Sequence, residues 1–234
     1  MSADEPSGGS DGDRAWVNFL SGLAHDLRAP LGVLTEAVSE LTAGPEPTDD
    51  QRLVAALATK GLGRLNRLAD RITLVARLEA GTLDLAQSPL ELTALTRQAV
   101  EEAAAIDGRR EVSVSFQLPS APVRFTGDEK RLGRAISEVA SNAFRHARRN
   151  VTVIVTVEPG EARVVVEDDG RGVAEDKRAS LFQRFVPHKG RSGTGIGLSL
   201  AHDLIQRQGG RIELVAGSST TRFLVTLPMA KPAS

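Results

Sequence analysis

Four short stretches of this chain hold residues whose types and spacing could do chemistry. The first is Phe19 to Leu31, FLSGLAHDLRAPL, where Asp26 directly follows His25. A carboxylate beside an imidazole can take the Nδ1 proton and leave the other nitrogen free to attack a phosphoryl group. A lone histidine would ordinarily be a surface residue with no chemical role, but Asp26 and the helix-disrupting Pro30 weigh against that here. The second stretch is Asp128 to Ala147, DEKRLGRAISEVASNAFRHA, in which Glu138, Asn142 and Arg145 fall at i, i+4 and i+7 and share a helix face. Carboxylate and amide oxygens suit a hard Mg²⁺ ion and a guanidinium suits phosphate, although such a face alone is commonly a solvated stripe. The third is Val164 to Val173, VVVEDDGRGV, a strand running into Asp168, Gly170 and Gly172. A carboxylate at a strand end can accept from the exocyclic amine of a base, and the glycines let backbone approach a ligand closely. The fourth is Gly190 to Leu200, GRSGTGIGLSL, with Gly193, Gly195 and Gly197 opening a helix at Leu198. A glycine-rich helix entry presents free N–H groups and a positive dipole end to phosphate, though by itself it is equally consistent with a linker.

Other phosphate motifs are missing. The chain contains no GxxxxGK[ST], no GxGxxG after a strand, and neither HRD nor DFG. His146, His188 and His202 share no metal-ligand spacing and read as surface or local polar groups.

These residues need elements to hold them. The 234 residues suffice for one or two domains, and 41% hydrophobic content can fill a core. Twenty-nine basic against 30 acidic residues leave a net charge of −1, which argues against electrostatic capture of nucleic acid or anionic membrane. With 3% aromatics and no Tyr, stacking platforms for single-stranded nucleic acid are not expected either. The lack of cysteine removes disulfides, thiol catalysis and Cys-ligated zinc, and fits a reducing cytosol. No apolar run reaches the roughly 18 residues of a membrane span, and the N-terminus lacks a signal-peptide core. The reading is therefore a cytoplasmic protein with no direct span.

Residues 1–13 are small, polar and acidic and read as a flexible tail. From Trp16 the apolar positions Leu20, Leu23, Leu27, Leu31, Leu34, Val38 and Leu41 advance by steps of 4 or 3, the seam of a long helix that places His25 towards solvent. Gly44-Pro45-Glu46-Pro47 breaks it, and a second helix follows, clearest at Leu65, Leu68, Ile72 and Val75 and closed by Gly81. Each helix would be roughly 45 Å long, and one hairpin cannot cover its own apolar stripe. A dimeric four-helix bundle is the economical solution. Beyond a boundary near residues 80–83 the texture becomes α/β, with strands expected at 111–118, 151–157, 162–167, 211–215 and 222–227. Helices are expected at 90–106, 129–147, 176–185 and 197–208. The fold class is thus a long antiparallel hairpin (14–81) followed by an α/β sandwich (82–230).

In this order, His25-Asp26, Asn142, Asp168-x-Gly170-x-Gly172, Phe182 with Phe185, and Gly193-x-Gly195-x-Gly197-Leu198 resemble the transmitter core of bacterial two-component sensor histidine kinases. The resemblance covers nearly everything after the tail. It implies a dimerisation and phosphotransfer hairpin, homodimeric through residues 14–81, and an ATP-binding domain of the gyrase, MutL and chaperone type. It implies ATP and Mg²⁺ as cofactors, His25 as phosphoacceptor with Asp26 as acid/base neighbour, and an aspartate on a response-regulator receiver domain as the next acceptor. Asn142 would ligate Mg²⁺ and Asp168 would read the adenine amine. Gly170 and Gly172 would shape the base pocket, and Gly193, Gly195 and Gly197 would hold the phosphates. Leu181, Phe182 and Phe185 are similar to the apolar anchor of the family's lid, with Lys189 and Arg145 as phosphate contacts.

The chain departs from the family at three points. Ala29 stands four residues after the histidine where Thr or Asn is common, so phosphatase activity towards the regulator is expected to be weak. Glu138 replaces the first asparagine of the family's N box and is similar to the general-base glutamate of the gyrase-like relatives, leaving a metal-site role and a plain helix-face charge both open. The chain holds no sensor or receiver domain, so it is read either as a cytosolic kinase with a partner input or as part of something longer. A gyrase-type ATPase and an ATP-independent phosphotransfer scaffold are the competing functions.

Overall fold

A computed structural model describes residues 11–43, 47–109, 111–184, 195–215 and 220–229. The chain divides into two units, Met1–Asp84 and Leu85–Ser234.

The first unit is a helical hairpin of α1 (Asp11–Ala43) and α2 (Asp49–Glu79). Helix α1 starts at Asp11, inside the stretch expected to be tail. It continues through Pro30, which has no N–H to give the carbonyl of Asp26. Helix α2 begins with a capping box: the Thr48 hydroxyl accepts from Gln51 N, and the Gln51 side chain accepts from Thr48 N. Such a cap contributes about 1 kcal/mol. Gly81, at φ +66°, supplies the left-handed turn that ends the hairpin.

Packing in the hairpin differs from the leucine seam read in the sequence. Among the described side chains of α1 the buried apolar residues are Ala24 and Leu31, with Val38 half-buried a further seven residues on. The buried stripe of α2 includes Ala55, Leu62, Ala69 and Ala76, also spaced by seven. Small alanines let helices approach closely, so they occupy the inner stripe in place of the larger leucines. Leu23, Leu27 and Leu34 are left 40%, 36% and 52% exposed, and Leu53, Leu57 and Leu65 on α2 are at least half exposed. His25 faces solvent, as the spacing predicted, and Asp26 beside it is exposed as well.

The second unit comprises β1 (Ser88–Glu91), α3 (Leu92–Asp107), β2 (Ser113–Gln117), β3 (Arg124–Gly127), α4 (Glu129–His146), β4 (Asn150–Glu158), β5 (Glu161–Asp168), α5 (Glu175–Arg178), α6 (Gly197–Arg207), β6 (Arg211–Leu214) and β7 (Thr221–Pro228). Five strands form a mixed sheet in the order β2-β4-β5-β7-β6, with β2 parallel to β4 and the other pairs antiparallel. Strands β1 and β3 make a separate antiparallel pair that the sequence reading did not anticipate. The helix expected over 176–185 shortens to α5, followed by turns.

Period-two burial on β4 (Val151, Val153, Val155), β5 (Ala162, Val164, Val166) and β7 (Phe223, Val225, Leu227) turns one sheet face inward. Helices α3, α4 and α6 pack side by side, α4 against β5 and α6 against β6. The core they enclose includes fully buried Leu132, Ile136, Val139, Phe144, Leu200 and Leu204. Asp128 ties several pieces together. It caps α4 through Arg131 N, accepts from Ala86 N at 3.0 Å, and its own N–H reaches the Gln208 side chain at the end of α6.

Candidate nucleotide site and phosphoacceptor histidine

Strand β5 delivers Asp168 to the edge of the core. The inward alternation Ala162, Val164, Val166 reaches Asp168 at the last position, so its carboxyl is 1% exposed while Asp169 points the other way. Burial pushes the Asp168 carboxyl up to about 6, opposed by the Gly170 N–H and the Thr221 hydroxyl, both of which donate to it, and reinforced by Asp169 and Glu167. Its Oδ1 takes the Gly170 N–H at 2.9 Å, whereas Oδ2 is buried without a hydrogen-bond partner. An orphaned, desolvated acceptor at a strand end fits an amine donor from a ligand. Thr221 was missed in the sequence. The register that pairs Asp168 with Thr221 on β7 is what brings it there.

Asp169 does structural work. Although burial opposes it, N–H groups of Arg149, Asn150 and Arg148 and the Asn150 side chain hold its carboxylate below the usual range, pinning the α4–β4 connection. That places the end of α4 against the turn after β5. A Cβ on Gly170 would collide with Asp168 Oδ1 and come within 2.6 Å of the His146 carbonyl, so only glycine fits. Gly172 adopts φ +73° and Gly195 φ +66°, the left-handed region that side chains disfavour.

Helix α4 contributes Asn142, half-buried one turn before His146. Its neighbours on the expected ligand face have partners within the protein. Glu138 is fully buried and ion-paired at 2.9 Å with Arg134 one turn earlier. Arg145 donates to Ser141 at 3.2 Å and lies 3.9 Å from Asp107 at the end of α3, while Ser141 also donates to Asp107. Helical spacing fixes the direction of a side chain but not its partner, and Asp107 is a carboxylate that only the packing of α3 on α4 brings near. Arg145 thus contacts protein groups at this end of α4.

Helix α6 starts at Gly197, with Ile196 at its N-cap offering no side-chain acceptor to the first-turn N–H groups. Ser199 returns its hydroxyl to the Ile196 carbonyl at 2.9 Å, and Leu198 is half-buried. An uncapped helix start reached through Gly195 suits an anion. Phe182 stacks on His202 of α6 with ring centroids 5.3 Å apart and meets Phe223 edge-on, and Arg184 pairs with Asp203. His202 therefore serves packing, and His146 offers its backbone. Lys189, Gly193, Phe185 and His188 lie outside the described residues. His25 and Asp26 belong to the first unit and the remaining site residues to the second.

Together these features define a helical hairpin with an exposed histidine, followed by an α/β nucleotide-binding domain. Residues 15–81 match the His Kinase A (phospho-acceptor) domain, and residues 127–231 match the histidine kinase-, DNA gyrase B- and HSP90-like ATPase. The sensor histidine kinase TrcS of Mycobacterium tuberculosis is 32% identical over 94% of this chain and 45% of its own length. The circadian input-output histidine kinase CikA of Synechococcus elongatus is 30% identical over 90% of this chain and 29% of its own. Among solved structures, full-length ShkA in complex with AMPPNP matches with TM-score 0.67 and 28% identity, covering 93% of this chain and 47% of that one. The chain belongs to the histidine kinases and carries their two-component transmitter core. It spans less than half the length of these relatives.

Proposed function

We propose that this protein is an ATP-dependent histidine kinase that phosphorylates itself on His25 and passes the phosphoryl group to an aspartate on a response-regulator receiver domain. The observation that carries the reading is the buried, unpartnered Asp168 Oδ2 beside Gly170, in a chain that also presents His25 and Asp26 on an open helix face. An ionised Asp168 accepts the adenine amine. The N-terminal N–H groups of α6, entered through Gly193, Gly195 and Gly197, take the phosphates, with Lys189 as a further cation.

Among the described residues no three His, Cys, Asp or Glu side chains gather as a metal cluster. Mg²⁺ typically keeps waters and phosphate oxygens and needs only one or two protein ligands, which the Asn142 amide oxygen can begin to supply. The ion would neutralise charge developing on the phosphates. Glu138 could join it only by loosening its pair with Arg134, and Arg145 could reach phosphate only by leaving Asp107.

In the transfer step the lone pair of His25 Nε2 forms a bond to the γ-phosphorus. The bond from that phosphorus to the bridging oxygen breaks, its electron pair leaves on ADP, and Asp26 takes the Nδ1 proton. A carboxylate oxygen of the receiver aspartate then attacks the same phosphorus, the Nε2–P bond breaks with its electron pair returning to the imidazole, and Nδ1 recovers its proton from Asp26. The exposed leucines on both hairpin helices support homodimerisation through residues 14–81, because a second hairpin would cover them. No described helix is long and apolar enough to cross a membrane, which accords with a cytoplasmic location.

Hydrolysis without transfer is the rival outcome for the same nucleotide site, and Glu138, four residues before Asn142, would have to leave Arg134 to assist water. Its pairing with Arg134 favours transfer over hydrolysis. Incubation with γ-labelled ATP and Mg²⁺ separates the two. The kinase reading expects acid-labile, base-stable label on protein; free phosphate with no protein label would replace it with the ATPase.

A further inference from the structure

The turn after His25 carries a contact between the two hairpin helices. Arg28 Nη2 donates to Thr73 Oγ1 at 2.8 Å and lies 3.4 Å from Asp70 Oδ1, both on α2. Thr73 passes its own proton to the Ala69 carbonyl at 3.0 Å, so its oxygen is available to accept. The pair is 43% and 53% exposed, a setting in which ion pairs contribute little to stability and exchange partners readily. Arg28 is also a neighbour of His25, since residues three apart on a helix stand side by side. Because helical side chains tilt towards the N-terminus, an Arg28 chain released from α2 can swing over the turn that holds Ala24 and His25. Pro30 leaves the Asp26 carbonyl of this turn without its helical donor.

A phosphoryl group on His25 would bring a charge of about −2 and three strong acceptors next to that guanidinium. Arg28 reaches Asp70 and Thr73 through one nitrogen, whereas a phosphate can engage both prongs of its fork. We propose that Arg28 is the counter-ion of phosphorylated His25 and takes the phosphoryl group by leaving Asp70 and Thr73, so that the α1–α2 clasp opens on phosphorylation. The inference rests on His25 being the phosphoacceptor. It makes Asp70 a competitor for Arg28, and this gives the two ends of one ion pair opposite effects.

The test uses the full chain at equilibrium with fixed amounts of ATP, ADP and Mg²⁺, reading the ratio of phosphorylated to unphosphorylated His25. Arg28→Ala lowers that ratio about two- to fivefold, and Asp70→Asn raises it by a similar factor. Arg28→Lys, which keeps the charge without the fork, falls between wild type and Arg28→Ala. Thermal melting of all three stays near wild type. If Arg28→Ala and Asp70→Asn shift the ratio the same way, the clasp is only structural and the proposal is overturned, as it is if neither moves. Should Arg28→Ala fail to fold, an Asp70→Asn ratio at or below wild type overturns it alone. A wild type that never carries phosphate on His25 removes the phosphoacceptor reading itself, whereas phosphate on His25 with the wrong order among variants removes only the role of Arg28.

Discussion

Replacing Asp168 with Asn is expected to make the unliganded nucleotide-binding unit more stable at neutral pH relative to wild type than it is in acid, while impairing ATP binding. Burial raises the Asp168 carboxyl from 3.8 to about 6 in the folded chain. Between those values the native state holds a proton that the unfolded state has released, so the stability from this group is present below the lower value and is lost as pH rises through the upper one. At 1.36 kcal/mol per unit the full loss is about 3 kcal/mol, and about 2 kcal/mol of it falls between about pH 4.5 and 7.5. Asn has nothing to ionise. Any constant cost of burying its amide cancels when the wild-type minus Asn difference is compared across pH. Urea unfolding of both proteins at the two pH values measures this directly. An expected difference of about 2 kcal/mol shrinking to zero would refute the desolvated carboxyl. In nucleotide titrations the Asn carbonyl keeps the Gly170 N–H and turns its amine towards the adenine amine, donor against donor. ATP affinity is expected to fall at least about tenfold.

Gly170→Ala forces a methyl onto Asp168 and the His146 carbonyl, and is expected to destabilise the unit by about 1–3 kcal/mol and weaken ATP binding, read by melting and titration. Leu34→Glu with Leu57→Glu places charge on the open leucine face and should drive any dimer towards a single-chain mass in light scattering while leaving ATP binding unchanged. Ala29→Thr should raise dephosphorylation of a phosphorylated receiver domain in the presence of ADP; an unchanged rate would show that the missing hydroxyl is not what limits it.

The site was more legible in the sequence than the packing that holds it. Period-two alternation along β5 singles out Asp168 over Asp169, and the glycines at 170, 172 and 195 sit where close approach or positive φ demands them. The inner stripe of the hairpin was hidden because Ala24, Ala55, Ala69 and Ala76 carry little hydrophobic signal, and their value lies in how closely they let helices meet. Thr221 and Asp107 were invisible for a different reason. Each acquires its role from a partner far along the chain, Thr221 by strand register with Asp168 and Asp107 by the packing of α3 on α4, and local spacing carries neither. The short pair β1 and β3 escaped because four-residue strands containing Pro89 and Gly127 lack a run of β-branched residues.

In the proposed mechanism the ATP site of the second unit charges the histidine of the first. Peptide mass mapping under neutral conditions after incubation with ATP and Mg²⁺ tests it most directly, on wild type, His25→Gln and Asn142→Ala. Phosphate is expected on the peptide containing His25 in wild type only. Phosphate on a different residue, or persisting on His25 when Asn142 is lost, would contradict it.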